Sequence, residues 1–208
     1  MRAVESSDVK SFATVAPYNA LRPDWCILRD TMLESVATSP DAFLTKADEI
    51  KGRSQEFWEG KLESSHWAVV QRRDEIVGIA AAKSPAKMDV YARQGQACFI
   101  ESVWIAPCMR RKGVGDRLVT YLIEEELRAE IRQFYLWVFK ENNSAKELYK
   151  KMGFKPTGRP SVLLGESEIQ YLRDFGGAPI DDEEVGRNET ARKRDWRKLE
   201  ITYRMLTS

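Results

Sequence analysis

The chain has 208 residues, 43% apolar and 31% charged, with a formal net charge of +1. That is enough for one domain with a large core that needs neither disulfides nor metal to fold. Near-neutral charge argues against general nucleic-acid binding, which depends on neutralising many phosphates. Cys26, Cys98 and Cys108 match no zinc spacing, and one histidine, His66, cannot by itself build a metal site or a Ser-His-Asp centre. His66 therefore reads as structural or surface. The polar N-terminus lacks a signal core, and no apolar run reaches the roughly 20 residues that span a bilayer. These features point to a cytoplasmic protein with reduced thiols and no membrane partner.

In chain order, residues 11–17 suggest a short first strand. Leu28, Met32 and Val36 recur at helical spacing, and Ser39-Pro40-Asp41 ends that helix. A second helix is expected at about 53–63, with Phe57 and Leu62 inward. Strands at 66–71 and 76–82 flank the polar Arg72-Arg73-Asp74-Glu75 and form a hairpin. Residues 83–95 read as a loop, and a long strand is expected at about 96–105. A helix then runs from Gly113 and Gly115 to about Ala129, with Leu118, Leu122 and Ile123 on one face and Glu124-Glu125-Glu126 opposite.

The run Phe134–Phe139 is apolar throughout, as in a strand buried on both faces. Next comes a short helix at about 143–152, capped by Asn142 or Asn143. Gly153 is placed for a left-handed C-cap, with Phe154 as its apolar contact. Strand, helix, strand, helix from 96 to 154 predicts a βαβα unit with parallel strands. Residues 161–164 and 199–206 suggest closing strands. Between them 165–198, rich in charge, reads as a polar insertion within a single domain spanning 1–208.

The most informative segment runs from Val103 to Gly115. A strand ends, a basic turn containing glycine comes next, and a helix begins. The first N–H groups of a helix lack intrahelical partners, and its dipole adds positive potential there. Together these suit a phosphate. Gly113 and Gly115 let the ligand approach the backbone, and Arg110, Arg111 and Lys112 add charge. The spacing matches neither the P-loop nor the dinucleotide fingerprint. Glycine is also common at helix ends, so taken alone this segment also fits an ordinary helix start.

Arg110-x-x-Gly113-x-Gly115 resembles the Arg/Gln-x-x-Gly-x-Gly/Ala signature of the GNAT acetyltransferases. Ile105-Ala106-Pro107 resembles the strand exit that precedes it. Asn142-Asn143-Ser144-Ala145 through Tyr149 to Gly153-Phe154 is similar to the family's Asn-x-x-Ala-x-x-x-Tyr-x-x-x-Gly-Phe segment. The resemblance is strong over 97–156 and looser over 11–82, where Ser39-Pro40-Asp41-Ala42-Phe43 also looks family-like. It does not extend over 165–198. It implies an α/β architecture of the α+β kind: a mixed, splayed central β-sheet flanked by helices that binds acyl-CoA.

On that resemblance, backbone N–H groups of Arg110, Arg111, Lys112, Gly113, Val114 and Gly115 would bind the CoA diphosphate. Val103 and Ile105 would pair with the pantetheine arm as an added strand does, and Asn142 would contact that arm. Tyr149 would be the acid for the leaving thiolate; its alternative role is a core aromatic. Glu101 is the candidate base, with ordered water as substitute. Simple alternation puts it on a face with Phe99, Val103 and Ile105, an apolar setting, though a bulge in this strand would upset that order. Phe43 would border the acceptor pocket. Cys108 has no visible base partner and reads as a bystander.

The expected function is therefore acetyl-CoA-dependent N-acetyl transfer to a small-molecule or peptide amine, with no metal. A homodimer remains open. The alternative is a non-catalytic CoA-binding regulatory module of the same fold. A third reading is a protein-modifying enzyme that uses 165–198 to dock its partner.

Overall fold

The computed structural model describes residues 13–18, 24–83, 97–161 and 165–176. Its elements are β1 (Ala13–Pro17), α1 (Trp25–Thr38), α2 (Ala47–Gly52), α3 (Gln55–Ser64), β2 (His66–Arg72), β3 (Glu75–Lys83), β4 (Ala97–Ile105), α4 (Val114–Arg128), β5 (Gln133–Phe139), α5 (Asn143–Lys151), β6 (Lys155–Ser161) and β7 (Gly165–Asp174). The strands form one mixed sheet in the order β1-β2-β3-β4-β5-β7-β6. Only β4 and β5 pair in parallel; the other neighbours are antiparallel.

Local chemistry accounts for the helices that frame the centre of the sheet. The α1 stripe Leu28, Met32 and Val36 is buried, and Asp24 caps the helix by accepting from Cys26 N at 2.8 Å. The α4 face Val114, Leu118, Val119, Leu122 and Ile123 is buried and packs across β2, β3 and β4. Helix α5 ends in the left-handed cap that Gly153 (φ 86°) permits. Gly153 N donates to Lys150 O and Phe154 N to Tyr149 O, both at 3.0 Å, which is the Schellman pattern.

Trp104 and Ile105 are consecutive on β4, so their side chains leave opposite faces of the sheet. Trp104 Nε1 donates to Thr38 Oγ1 on α1 at 3.0 Å, whereas Ile105 lies against Gly115 of α4. Helices α1 and α4 therefore cover opposite faces. No helix among the described residues is long and apolar enough to cross a membrane.

Several expectations need correction. A separate short helix, α2, precedes α3, and the buried anchor of α3 is Trp58, with Phe57 and Leu62 only partly buried. Residues 155–161 form edge strand β6, where its two prolines remove no ladder bond that an inner strand would need. Residues 165–174, expected to begin the polar insertion, form β7 between β5 and β6. Its polar side chains are accommodated inside: Gln170 is fully buried, and its Oε1 accepts from Thr157 Oγ1 at 3.0 Å. The rest of the expected insertion, the expected strand at 199–206 and most of the loop at 83–95 lie outside the described residues.

Glu126 is not on the solvent side of α4 as expected. Its Oε1 lies 2.8 Å from His66 Nδ1, with both side chains substantially buried. That bond raises the His66 pKa above its ordinary 6.5; burial opposes it, and the charges of Glu126 and Glu125 reinforce it. A group whose pKa is raised on folding stabilises the fold fully below its unfolded value and loses that effect as pH climbs through the folded one. Glu126→Gln should therefore lower the melting temperature clearly at about pH 6 and much less at about pH 9. Equal losses at both pH values, read by circular dichroism melts, would show that the pair is not a protonated ion pair.

Candidate active site

Strands β4 and β5 are in register only at Ala97↔Gln133, Cys98↔Phe134 and Phe99↔Tyr135. Beyond these residues the two strands diverge. On its other side β4 stays paired with β3 to its end. Ala106 N donates to Val77 O at 2.9 Å, which makes Gly78↔Ile105 a non-hydrogen-bonded pair. Ile105 thus directs its N–H and C=O into the gap between the parting strands.

The β3–β4 register shifts between Ile79↔Trp104 and Ala81↔Glu101. Ser102 and Val103 stand opposite Ala80 alone, and Ser102 takes a left-handed φ of 56°. This bulge resets the alternation. Glu101 keeps the face of Phe99 and does not share one with Val103 and Ile105, a correction to simple alternation. Nor is its setting apolar. Lys61 Nζ of α3 lies 3.4 Å from Glu101 Oε1, and both side chains are about one-third exposed.

The turn after β4 begins with one turn of 3-10 helix, Pro107–Met109, anchored by the fully buried Met109. Arg110 N donates back to Pro107 O at 3.3 Å. Arg110 is therefore not among the free amides, contrary to expectation. Arg111 (φ 59°) and Gly113 (φ 75°) are both left-handed, and Gly113 is the N-cap of α4. The first helical bond here runs from Arg117 N to Gly113 O, at 3.2 Å. The N–H groups of residues 111–116 meet no acceptor among the described residues. A run of unshared N–H groups at a helix start is an anion cradle.

The basic side chains of the turn are used elsewhere. Arg110 Nε donates to Ile105 O at 2.9 Å and its Nη2 to Ser39 Oγ at 2.6 Å. Arg111 pairs with Glu147 of α5 at 3.3 Å, and Lys112 Nζ donates to Cys108 O at 2.9 Å. The cradle is thus made of backbone. Cys108 is exposed and contributes its carbonyl.

The turn opens into a cleft of about 460 Å³ lined by Val103, Trp104, Ile105, Arg111, Gly113, Val114, Gly115, Asn142, Leu148 and Tyr149. A Cβ on Gly115 would lie 3.3 Å from Leu148 Cδ2 and 3.6 Å from Ile105 Cγ1, so glycine there keeps the cleft open between β4 and α5. Asn142 caps α5 by accepting from Ala145 N at 3.1 Å, which leaves its NH2 as the available donor. Tyr149 is buried, its ring edge-on to Phe154, and burial pushes its pKa well above the ordinary phenol value.

Phe43 lines this cleft and also a neighbouring, wider one of about 1050 Å³ bounded by residues 38–43, Arg110, 139–144 and Ser167. Glu101 lines neither. Of the expected site residues, the structure gathers Val103, Ile105, Arg110, Arg111, Gly113, Val114, Gly115, Asn142, Tyr149 and Phe43 around the cleft; Lys112 is in the turn behind it. Ser39 and Leu148 join them without having been expected at the site, and Trp104 lines the cleft as well. Leu148 carried a helix-face signal, but nothing in the sequence pointed Ser39 at Arg110, 71 residues away.

A mixed sheet whose two central parallel strands part beside a helix opening on free amides is the architecture of an acyl-CoA-dependent transferase. The family model described as Acetyltransferase (GNAT) family matches residues 29–154, more than half of the chain. The chain belongs to this family.

Over 57 residues the sequence is 33% identical to GCN5-related N-acetyltransferase 6, chloroplastic, of Arabidopsis thaliana. That match covers 27% of this chain and only 20% of the relative. An acetyltransferase of the GNAT family from Streptococcus pneumoniae superposes with a TM-score of 0.64 at 18% identity, covering 79% of this chain and 99% of that one. An aminoglycoside 6'-N-acetyltransferase complexed with coenzyme A gives 0.58 at 17% identity, covering 80% and 99%.

A left-handed backbone costs a residue with a Cβ about 1–2 kcal/mol. At Gly113 no atom lies within 4 Å of an added Cβ, so the penalty there is conformational alone. Gly113→Ala should lower unfolding free energy by about 1 kcal/mol in urea titrations. An unchanged urea midpoint would show that this turn is not left-handed in solution.

Proposed function

We propose that the protein transfers an acetyl group from acetyl-CoA to a primary amine of a small molecule or peptide, by direct attack of the amine on the thioester. One observation carries this reading: six consecutive backbone amides, 111–116, which meet no acceptor among the described residues, lie beside the gap between β4 and β5. The amides fit a diphosphate, and the gap fits an extended arm that pairs like a strand. Acetyl-CoA supplies the activated acyl group.

The chain's own groups then have distinct tasks. Amides of Arg111, Lys112, Gly113, Val114 and Gly115 hold the diphosphate. Backbone of Val103 and Ile105 aligns the arm, and one of their N–H groups polarises the thioester carbonyl. The Asn142 NH2 donates to the arm. Tyr149, protonated as any phenol is near neutral pH, gives its proton to the departing sulfur as the C–S bond breaks. Glu101, directly or through water, takes the proton that the attacking nitrogen loses as the C–N bond forms. Phe43 borders the acceptor, where the two clefts meet. The three free cysteines fit a cytoplasmic setting. A partner-docking role for the segment after β6 would have to begin beyond β7, whose residues belong to the sheet.

The test is thiol release from acetyl-CoA with a panel of primary amines and peptides. Tyr149→Phe should lower kcat about a hundredfold while leaving CoA affinity near the parent value. Glu101→Gln should lower kcat/KM about a hundredfold while leaving CoA affinity near the parent value. Calorimetric CoA binding without turnover of any amine would assign the protein to the non-catalytic alternative. Absence of CoA binding would sink both readings.

A further inference from the structure

Arg110 belongs to the signature turn, yet neither its amide nor its guanidinium faces the phosphate cradle. Its N–H is bonded to Pro107 O, its Nε to Ile105 O and its Nη2 to Ser39 Oγ. The side chain is therefore a strut with one foot on the end of β4 and the other on the turn after α1. Ser39 is suited to receive it. It sits at the N-cap of the 3-10 turn Pro40–Ala42, where a serine hydroxyl ordinarily caps, yet it makes no side-chain capping bond.

The preceding residue, Thr38, is tied separately to buried Trp104 of β4. The end of α1 is thus fixed to the sheet without Arg110, and the strut acts on the next segment of chain, Ser39 to Phe43. That segment borders both clefts. The strut is solvent-exposed, so its removal should cost the fold little.

We propose that Arg110 is a positioning residue that couples occupancy of the phosphate turn to the placement of Ser39–Phe43 on the acceptor side. A ligand that stiffens residues 111–116 also fixes the root of the Arg110 side chain, and through Ser39 Oγ the adjoining 3-10 turn. The inference rests on the reading of the turn as the CoA diphosphate site.

The experiment is hydrogen exchange of the full chain with and without saturating coenzyme A, read at the amides of Asp41, Ala42 and Phe43. In the parent protein, CoA should slow exchange there roughly fivefold. In Ser39→Ala and in Arg110→Gln that slowing should largely vanish, while melting temperatures stay within a few degrees of the parent. Calorimetry on Ser39→Ala should still give a CoA affinity within about twofold of the parent. Slowing that persists in both variants would show direct contact with CoA and overturn the coupling. No slowing in the parent despite calorimetric binding would also overturn it and leave the proposed function standing. Failure of CoA to bind the parent would remove that function, and the coupling with it.

Discussion

Past Phe99 and Tyr135 the central parallel strands separate, and the rest of the site depends on that separation. Backbone N–H and C=O groups inside a protein must find partners. Along the parting edge of β4 the partners are not on β5. Arg110 supplies one by donating to Ile105 O, and the Ile105 N–H remains directed at the gap. Beside the opening, Gly115 of α4 lets Leu148 of α5 approach closely, since a Cβ there would lie 3.3 Å from Leu148 Cδ2. The gap is bordered by backbone on the β4 side, which on the proposed reading suits an extended ligand that pairs like a strand.

The bulge at Ser102 and Val103 divides labour between the two faces of β4. Without it, Glu101, Val103 and Ile105 would share one face. With it, Ile105 turns towards Gly115, while Glu101 stays with Phe99 and Trp104 on the side of α1 and α3, where Lys61 meets it. On the proposed reading the carboxylate that receives the proton and the backbone that grips the thioester thus reach the reacting centre from different faces of the same strand. A left-handed non-glycine residue, Ser102 at φ 56°, is strained, and the bulge it marks puts Glu101 and Ile105 on opposite faces of β4.

Much of this was legible wherever local signals agreed with one another. The periodic stripes of α1, α4 and α5, the Asn142 cap and the Gly153 stop could be read because cap, period and apolar face all mark the same boundaries. The basic turn was legible only in combination with the Asn142–Phe154 segment, since glycines at a helix start taken alone also fit an ordinary helix start. Strand β7 was not, because Glu168, Gln170 and Arg173 mask an inner strand, where the Gln170 side-chain carbonyl oxygen finds Thr157 across the β6 pairing while its side-chain amide nitrogen has no partner among the described residues. Strand β6 was hidden by prolines that only an edge tolerates. Arg110 was misjudged for a related reason: charge predicts attraction to phosphate, but only the fold reveals that a carbonyl and a hydroxyl lie within its reach. The bulge could be suspected and not located, since its register depends on β3.

Tyr149 shows how closely structure and chemistry are joined here. Its carbonyl closes the Schellman cap of α5, its ring packs edge-on against Phe154, and its side chain lines the cleft. An ordinary phenol is already protonated near neutral pH, and the burial that makes Tyr149 a core residue raises its pKa further. A group in that state can give a proton but is a poor acceptor of one. If Tyr149 serves the leaving sulfur, the proton shed by the amine must go elsewhere. On β4 the described carboxylate is Glu101, which the bulge has turned to the opposite face. On the proposed reading core aromatic and proton donor meet in one residue, because the ring that packs against Phe154 also lines the cleft.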